Sequence, residues 1–246
     1  MQKVALITGA AGGLGQALAT LLTADGWELV VCSREATRLS EAFGTAHTQI
    51  VADCSTVDGA KHILASANAL GKQPVALAHC VGNIRLGALH RMVEADFNDC
   101  MQANLFSAFH TLAAFVASLR EGKQAGVAVL VSSAAARVGT PNHEAISAAK
   151  AGLEGLVRGA AATYAANNIR INAVAPGIMA SPATAKILGS ELAIEAAAKQ
   201  YPLPGIGSVE ELAALMAWLL SERASRVTGQ VWSMDAGFST IRPLVK

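Results

Sequence analysis

Thr8-Gly9-Ala10-Ala11-Gly12-Gly13-Leu14-Gly15 closes the apolar run 4–8 and opens directly into a segment of helical spacing. Its glycines let the backbone turn sharply and come close to a ligand, while the free N–H groups at the start of the following helix can meet the charge of a diphosphate. A glycine loop alone says little, so its context decides. Here it follows a strand-like run, precedes a helix-like one, and stands at the head of a repeated alternation of the two.

That alternation runs the length of the chain. Short valine-rich runs at 4–8, 29–32, 49–52, 75–79, 127–132, 170–174 and 230–233 read as seven strands. Between them, 13–25, 36–43, 57–69, 93–120, 142–166 and 209–221 have helical spacing and the length of crossover helices. The pattern predicts an α/β, Rossmann-type, doubly wound parallel seven-stranded sheet with helices on both faces. No linker or repeat interrupts it, so a single domain over 1–246 is the expectation. One irregular stretch, 176–207, carries Pro176, Pro182, Pro202 and Pro204 around a short helical piece near 191–199. It follows strand six at the edge where open α/β sheets bind ligands, and reads either as a substrate lid or as a plain surface excursion.

Of 246 residues, 52% are apolar and 15% charged, enough to bury both faces of a parallel sheet. The net charge of +1 comes without any block of like charge, which argues against nucleic acid and membrane surfaces as partners and for a small-molecule substrate. Cys32, Cys54, Cys80 and Cys100 stand singly and read as reduced, mostly buried thiols. Met1-Gln2-Lys3 leads into an apolar run too brief for a signal-peptide core, and the longest apolar stretch, 212–220, is about half a membrane span, so cytoplasmic residence is expected.

The spacing T-G-x-x-x-G-x-G resembles the short-chain dehydrogenase/reductase family, and further pieces along the chain agree with it. The resemblance implies that Asp53, after strand three, contacts adenine and that Asn104 occupies the family's asparagine position in the long fourth helix. It also places Pro176-Gly177 beside the nicotinamide, with Ser181 where threonine is usual; Thr228-Gly229-Gln230 and Asp235-Ala236-Gly237 match the C-terminal strand and turn. At the end of strand two, an acidic residue would bond the adenosine ribose and repel a 2′-phosphate. Cys32-Ser33-Arg34 stands there instead. A hydroxyl and a guanidinium suit a phosphate, so NADP(H) is favoured over NAD(H); the alternative is that Arg34 is simply a solvated residue at a helix entry.

At the catalytic end the family's main branch uses serine, tyrosine and lysine at fixed spacing. Ser133 and Lys150 fit; the tyrosine position is Ile146, which has no proton to exchange. Hydride addition to a ketone creates an alkoxide that a positioned acid must protonate, so Ile146 speaks against ordinary carbonyl reduction. Two partial resemblances offer another chemistry. Pro141-Asn142-His143, with Ile146 and Lys150, is similar to enoyl reductases of the superfamily, with His143 in place of a tyrosine seven before the lysine. Imidazole is the side chain that exchanges protons near neutral pH. Gly82-Asn83 and Gly139-Thr140-Pro141 are similar to dienoyl-CoA reductases, which also lack the usual tyrosine. Both groups reduce double bonds conjugated to a carbonyl, a reaction in which charge spreads into an enolate and oxyanion donors matter more than a strong acid.

The roles that follow are cofactor binding by Thr8, Gly9, Gly13, Leu14, Gly15, Ser33, Arg34, Asp53, Lys150, Pro176 and Gly177. Ser133 steadies the substrate oxygen, Asn104 supports Lys150 through water, and His143 donates the proton; no metal-ligand spacing is present. A plain reading of His143 stands beside this, as an exposed first-turn residue of a helix capped by Asn142. His79, where the family usually has asparagine, reads as a hydrogen-bonded strand-end residue. Gly152, Gly155 and Gly159 permit close packing on the helix after Lys150, either against a second copy in a homodimer or homotetramer or within the monomer. Two other functions stay open: a ketone/alcohol oxidoreductase, and a dinucleotide-binding protein that has lost its active site.

Overall fold

A computed structural model describes residues 3–242; Met1 and Gln2 of the N-terminal reading above lie outside them. Seven strands form one all-parallel sheet in the order β3-β2-β1-β4-β5-β6-β7. They are β1 Val4–Thr8, β2 Glu28–Ser33, β3 Thr48–Val51, β4 Ala76–His79, β5 Gly126–Val131, β6 Ile169–Pro176 and β7 Val231–Met234. All seven expected strands are present, with ends shifted by one or two residues. The order reverses between β1 and β4, which opens a crevice at their carboxyl ends.

Because successive strand residues face opposite sides, one run supplies two cores. Val4 and Leu6 of β1 join a cluster with Val30, Leu77, Leu130 and Ile171, while Ala5 and Ile7 join the other with Leu29, Val31, Ala78 and Val129. The first cluster is covered by α3 Val57–Ala69, α5 Ser107–Glu121 and α6 Glu144–Tyr164, and the second by α1 Gly13–Ala24, α2 Ala36–Phe43 and α8 Val209–Leu220. Strands buried on both faces have no polar alternation, which is why they read as continuous apolar runs.

The expected helix at 93–120 is a composite. α4 Glu94–Met101 passes through a π turn, Gln102–Phe106, into α5, and the Ser107 N–H reaches back to Gln102 O. Glu94–Glu121 spans 28 residues and contains an 18-residue window of mean hydropathy 1.2, long and apolar enough by length and composition alone to cross a membrane. Its inner face is instead packed on the sheet, where Ala108, Leu112, Phe115 and Leu119 are buried.

The expected helix at 142–166 is corrected at its start. Asn142 adopts a left-handed backbone, φ +64°, and does not cap; His143 is the N-cap residue of α6, without a side-chain cap bond. The excursion at 176–207 holds α7 Glu191–Ala198. It is closed at its base by a parallel bridge between Met179 and Gly207, reinforced by the Ala180 N–H to Gly207 O bond of 3.0 Å.

Candidate active site

The glycine loop sits at the reversal point. Gly9 has φ +69°, and a Cβ there would stand 2.9 Å from the carbonyl carbon and oxygen of Cys80, so a side chain would push the loop off the end of β4. A Cβ at Gly15 would lie 2.6 Å from Ala10 Cα. Gly12 is the N-cap of α1, without a side-chain cap and with no acidic residue in the first turn. The first-turn amides of Gly13, Leu14 and Gly15 therefore lack intrahelical acceptors. A concave backbone with free donors and no carboxylate fits a diphosphate. Pro182 Cδ would stand 3.3 Å from a Cβ at Gly13, so the 176–207 excursion reaches over this loop.

Ser33 and Arg34 leave β2 beside it. The Ser33 hydroxyl accepts from the Glu35 N–H at 3.4 Å, and Arg34 is exposed, with its charge felt at the Cys54 thiol. Asp53 is half-buried, its Oδ1 accepting from the Ser55 N–H at 2.9 Å in a turn. Thr8 points the other way, into the protein.

Lys150 lies one turn into α6, 5% exposed, and its ammonium donates to Val131 O at 2.7 Å. Burial pulls it down to about 8, partly offset by the thiols of Cys100 and Cys80. Asn104 is fully buried in the π turn; its amide donates to Asn83 O at 3.0 Å, Asn83 Oδ1 at 3.1 Å and Cys100 O at 2.9 Å. Its Oδ1 has no hydrogen-bond partner among the described residues. A Cβ at Gly82 would stand 2.6 Å from that oxygen and 3.4 Å from Lys150 Nζ, so both groups face the same glycine. Asn83 and Arg85 in turn donate to Asp99 Oδ2 at 2.7 and 2.8 Å, tying the loop after β4 to α4.

His79 is buried beneath this pair with both ring nitrogens bonded. Ser107 gives its one hydroxyl proton to Ala103 O at 2.7 Å, so it must accept from His79 Nε2–H at 3.1 Å; Nδ1 then accepts from the Thr8 hydroxyl at 2.8 Å. Burial first, then the charge of Lys150, pull the ring down to about 3, which keeps it neutral. It is a strand-end brace, linking the start of the glycine loop to the π turn.

Ile146 is 5% exposed and packs with Cys100, Ala145, Met92, Phe97 and Ala135. The chain has two tyrosines, and neither takes its place. Tyr164 ends α6 against the core, and the Tyr201 hydroxyl accepts from the Ile178 N–H at 2.7 Å, beyond Gly177. Ser133, at the exit of β5, accepts from the Ala135 N–H at 3.2 Å, which leaves its own proton to donate. His143 is half-buried, with Nδ1 2.8 Å from Pro141 O, so Nδ1 donates and Nε2 is the atom left to face a ligand. Gly177 follows Pro176 and donates to Met234 O at 3.1 Å.

Three features escaped the sequence reading: the π turn, the Asn83–Asp99–Arg85 cluster, and Glu154, a buried carboxylate one turn after Lys150 on α6. Only Glu154 carried a signal, since a position four after Lys150 shares its helical face. The family model described as enoyl-(acyl carrier protein) reductase matches residues 9–239. An A-factor type gamma-butyrolactone 1′-reductase of Streptomyces virginiae is 31% identical over 97% of this chain and 96% of its own. The 3-oxoacyl-(acyl-carrier-protein) reductase FabG of Thermotoga maritima is 31% identical over 96% and 97%. Among solved structures, the Pseudomonas aeruginosa RhlG/NADP active-site complex superimposes with a TM-score of 0.90 at 26% identity, covering 96% of each chain.

The His79 brace has a consequence for acid stability. An unfolded histidine binds a proton near pH 6.5, whereas buried His79 resists it down to about 3. Between those values the unfolded chain holds more protons, so stability falls as pH is lowered through the window. In denaturant titrations from pH 7 to 4, His79→Asn should lose stability less steeply than the wild type; equal slopes would show that His79 is not the group resisting protonation.

Proposed function

Because this chain belongs to the short-chain dehydrogenase/reductase family, we propose that it is an NADP(H)-preferring oxidoreductase that reduces a carbon–carbon double bond conjugated to a carbonyl. The family assignment makes it an NAD(P)-dependent oxidoreductase, in keeping with relatives named as reductases over nearly the whole chain. The narrower reading rests on one observation: Ile146 closes the tyrosine position with an apolar cluster, and neither tyrosine of the chain stands in for it.

The nicotinamide, when bound, supplies the hydride. The amides of Gly9, Gly13, Leu14 and Gly15, with Thr8 bracing the loop, hold the diphosphate; Ser33 and Arg34 take the 2′-phosphate, Asp53 the adenine side, and Pro176-Gly177 the edge of the nicotinamide. Lys150 holds the adjoining sugar and is supported through water by Asn104, whose Oδ1 has no partner among the described residues. Ser133 donates to the substrate oxygen where enolate charge gathers. His143, with Nδ1–H committed to Pro141 O, delivers a proton from Nε2 in its imidazolium form and returns to the neutral Nδ1–H tautomer. The stretch 176–207 closes over substrate as a lid, since Pro182 already reaches the glycine loop. The description of the matching family model favours this reading over the ketone chemistry in the names of other relatives. We place the enzyme in the cytoplasm, as a homodimer or homotetramer.

Assayed with NADPH, the wild type should turn over an enoyl thioester and leave simple ketones untouched. Ile146→Tyr should raise ketone reduction by about 10²–10⁴-fold, the usual contribution of a positioned acid, and His143→Ala should slow enoyl reduction at least tenfold. Ketone turnover by the wild type equal to that of the tyrosine variant would sink the double-bond reading; tight NADPH binding with no turnover of any substrate would leave a binding protein.

Arg34→Leu should weaken NADPH binding by about 10–100-fold, the worth of charge-assisted hydrogen bonds, and change NADH binding little. Equal losses for both dinucleotides would remove Arg34 from the phosphate site.

Phe106 and Phe109 are 43% and 48% exposed, and among the described residues no atom lies within 4 Å of where a Cβ would stand at Gly155 or Gly159, whereas Gly152 is filled from within by Leu105. Sedimentation at micromolar concentration should show a dimer or tetramer that Phe109→Glu dissociates; a monomeric wild type would refute the assembly.

A further inference from the structure

Glu154 is 6% exposed, and the chemistry above makes no use of it. A buried carboxylate is costly unless its oxygens are bonded, and here each oxygen is taken by a different flank of one turn. Ser132 Oγ donates to Oε1 at 2.9 Å, and Arg137 Nε donates to Oε2 at 3.3 Å; Arg158 lies farther off, at 3.9 Å. Between Ser132 and Arg137 runs the short 3-10 turn Ala134–Ala136, whose N-cap is Ser133. Glu154 also stands four residues after Lys150 on the same face of α6.

The connection extends outward. The same guanidinium of Arg137 donates through Nη1 to Ser233 Oγ at 3.1 Å and through Nη2 to Val231 O at 3.2 Å, both on β7. Met234, the last residue of β7, accepts from the Gly177 N–H. Ser132 is fixed on its other side, its N–H donating to Val174 O at 2.7 Å. One carboxylate thus fastens the Ser133 turn, the helix of Lys150 and the strand that supports Gly177.

We propose that Glu154 is a positioning residue: its carboxylate holds the Ser133 hydroxyl in register with Lys150 by clamping both flanks of the Ser133 turn to α6. This rests on the reading of Ser133 as the donor to the substrate oxygen. A hydroxyl that must meet a developing charge tolerates little misplacement, so loosening the turn lowers turnover far more than dinucleotide affinity, which rests on the diphosphate and 2′-phosphate contacts at residues 9–15, Ser33 and Arg34.

The test uses full-length Glu154→Ala and Glu154→Gln saturated with NADPH. In the alanine variant, amide hydrogen exchange over residues 132–138 should quicken at least tenfold while residues 9–15 keep their protection. The kcat for the double-bond substrate should fall at least tenfold with the NADPH dissociation constant within twofold. Glutamine retains an acceptor for Ser132 and should recover part of both losses. Should Glu154→Ala fail to fold, Ser132→Ala and Arg137→Met cut the two links from the turn's side and carry the same readouts. Unchanged exchange over 132–138, or unchanged kcat, overturns the proposal. A wild type that binds NADPH but reduces nothing overturns the functional reading instead, and the exchange measurement still decides the role of Glu154.

Discussion

A lysine ammonium enclosed by protein, donating to Val131 O at 2.7 Å, sets the terms for everything around it. Removing such an ion from water costs several kcal/mol even after relaxation, and burial brings Lys150 down to about 8. The Val131 carbonyl offsets part of this cost, and the groups beside the ammonium stay neutral. Burial holds the Cys80 thiol up at about 12 and raises Cys100, so both stay protonated, and the Asn104 Oδ1, without a hydrogen-bond partner among the described residues, faces the same glycine as the ammonium. His79, which would add a like charge nearby, is kept neutral by burial and by bonds to Thr8 and Ser107 that leave its ring no room for another proton.

Those arrangements require backbone features that do not arise from regular structure. The π turn carries Asn104, and it also supplies the Ala103 carbonyl that fixes the direction of the Ser107 and His79 bonds. Gly82 leaves the space between Asn104 and Lys150 open, and Gly9 lets the phosphate loop lie against the end of β4. Free amides at the start of α1 and the single ammonium of α6 therefore flank the point where the strand order reverses, a spacing suited to an anionic ligand with a sugar at its far end.

Much of this was legible in the sequence, for a physical reason. Strands buried on both faces must be apolar throughout, and crossover helices must keep their period, so the seven-stranded order of elements could be read from hydrophobicity alone. The glycine loop stands out by its place between a strand and a helix, whereas Ser133, Asn104 and Lys150 are legible only through the resemblance to the family's spacing. What was hidden depends on geometry that no spacing encodes. A one-residue widening of a helix leaves no mark in composition, so 93–120 read as one regular helix. Asn142 has the chemistry of a cap, yet its left-handed backbone moves the helix start to His143. Glu154 read as an ordinary helix residue because its partners, Ser132 and Arg137, are distant in sequence.

Ile146 joins these strands of argument. A phenol at that position would have to sit among Cys100, Ala145, Met92, Phe97 and Ala135, where its hydroxyl would need a polar partner or pay for burial without one. Isoleucine avoids that cost and leaves the position without a group that exchanges protons. In the proposed reaction charge arises on an oxygen already conjugated to the reacting carbon, and delocalised charge of that kind is met by hydrogen bonds and does not demand a proton at the instant it forms. On the double-bond reduction we propose, Ser133, Lys150 and Asn104 without a phenol at position 146 make a coherent set, because an enolate needs oxyanion donors where an alkoxide needs a proton.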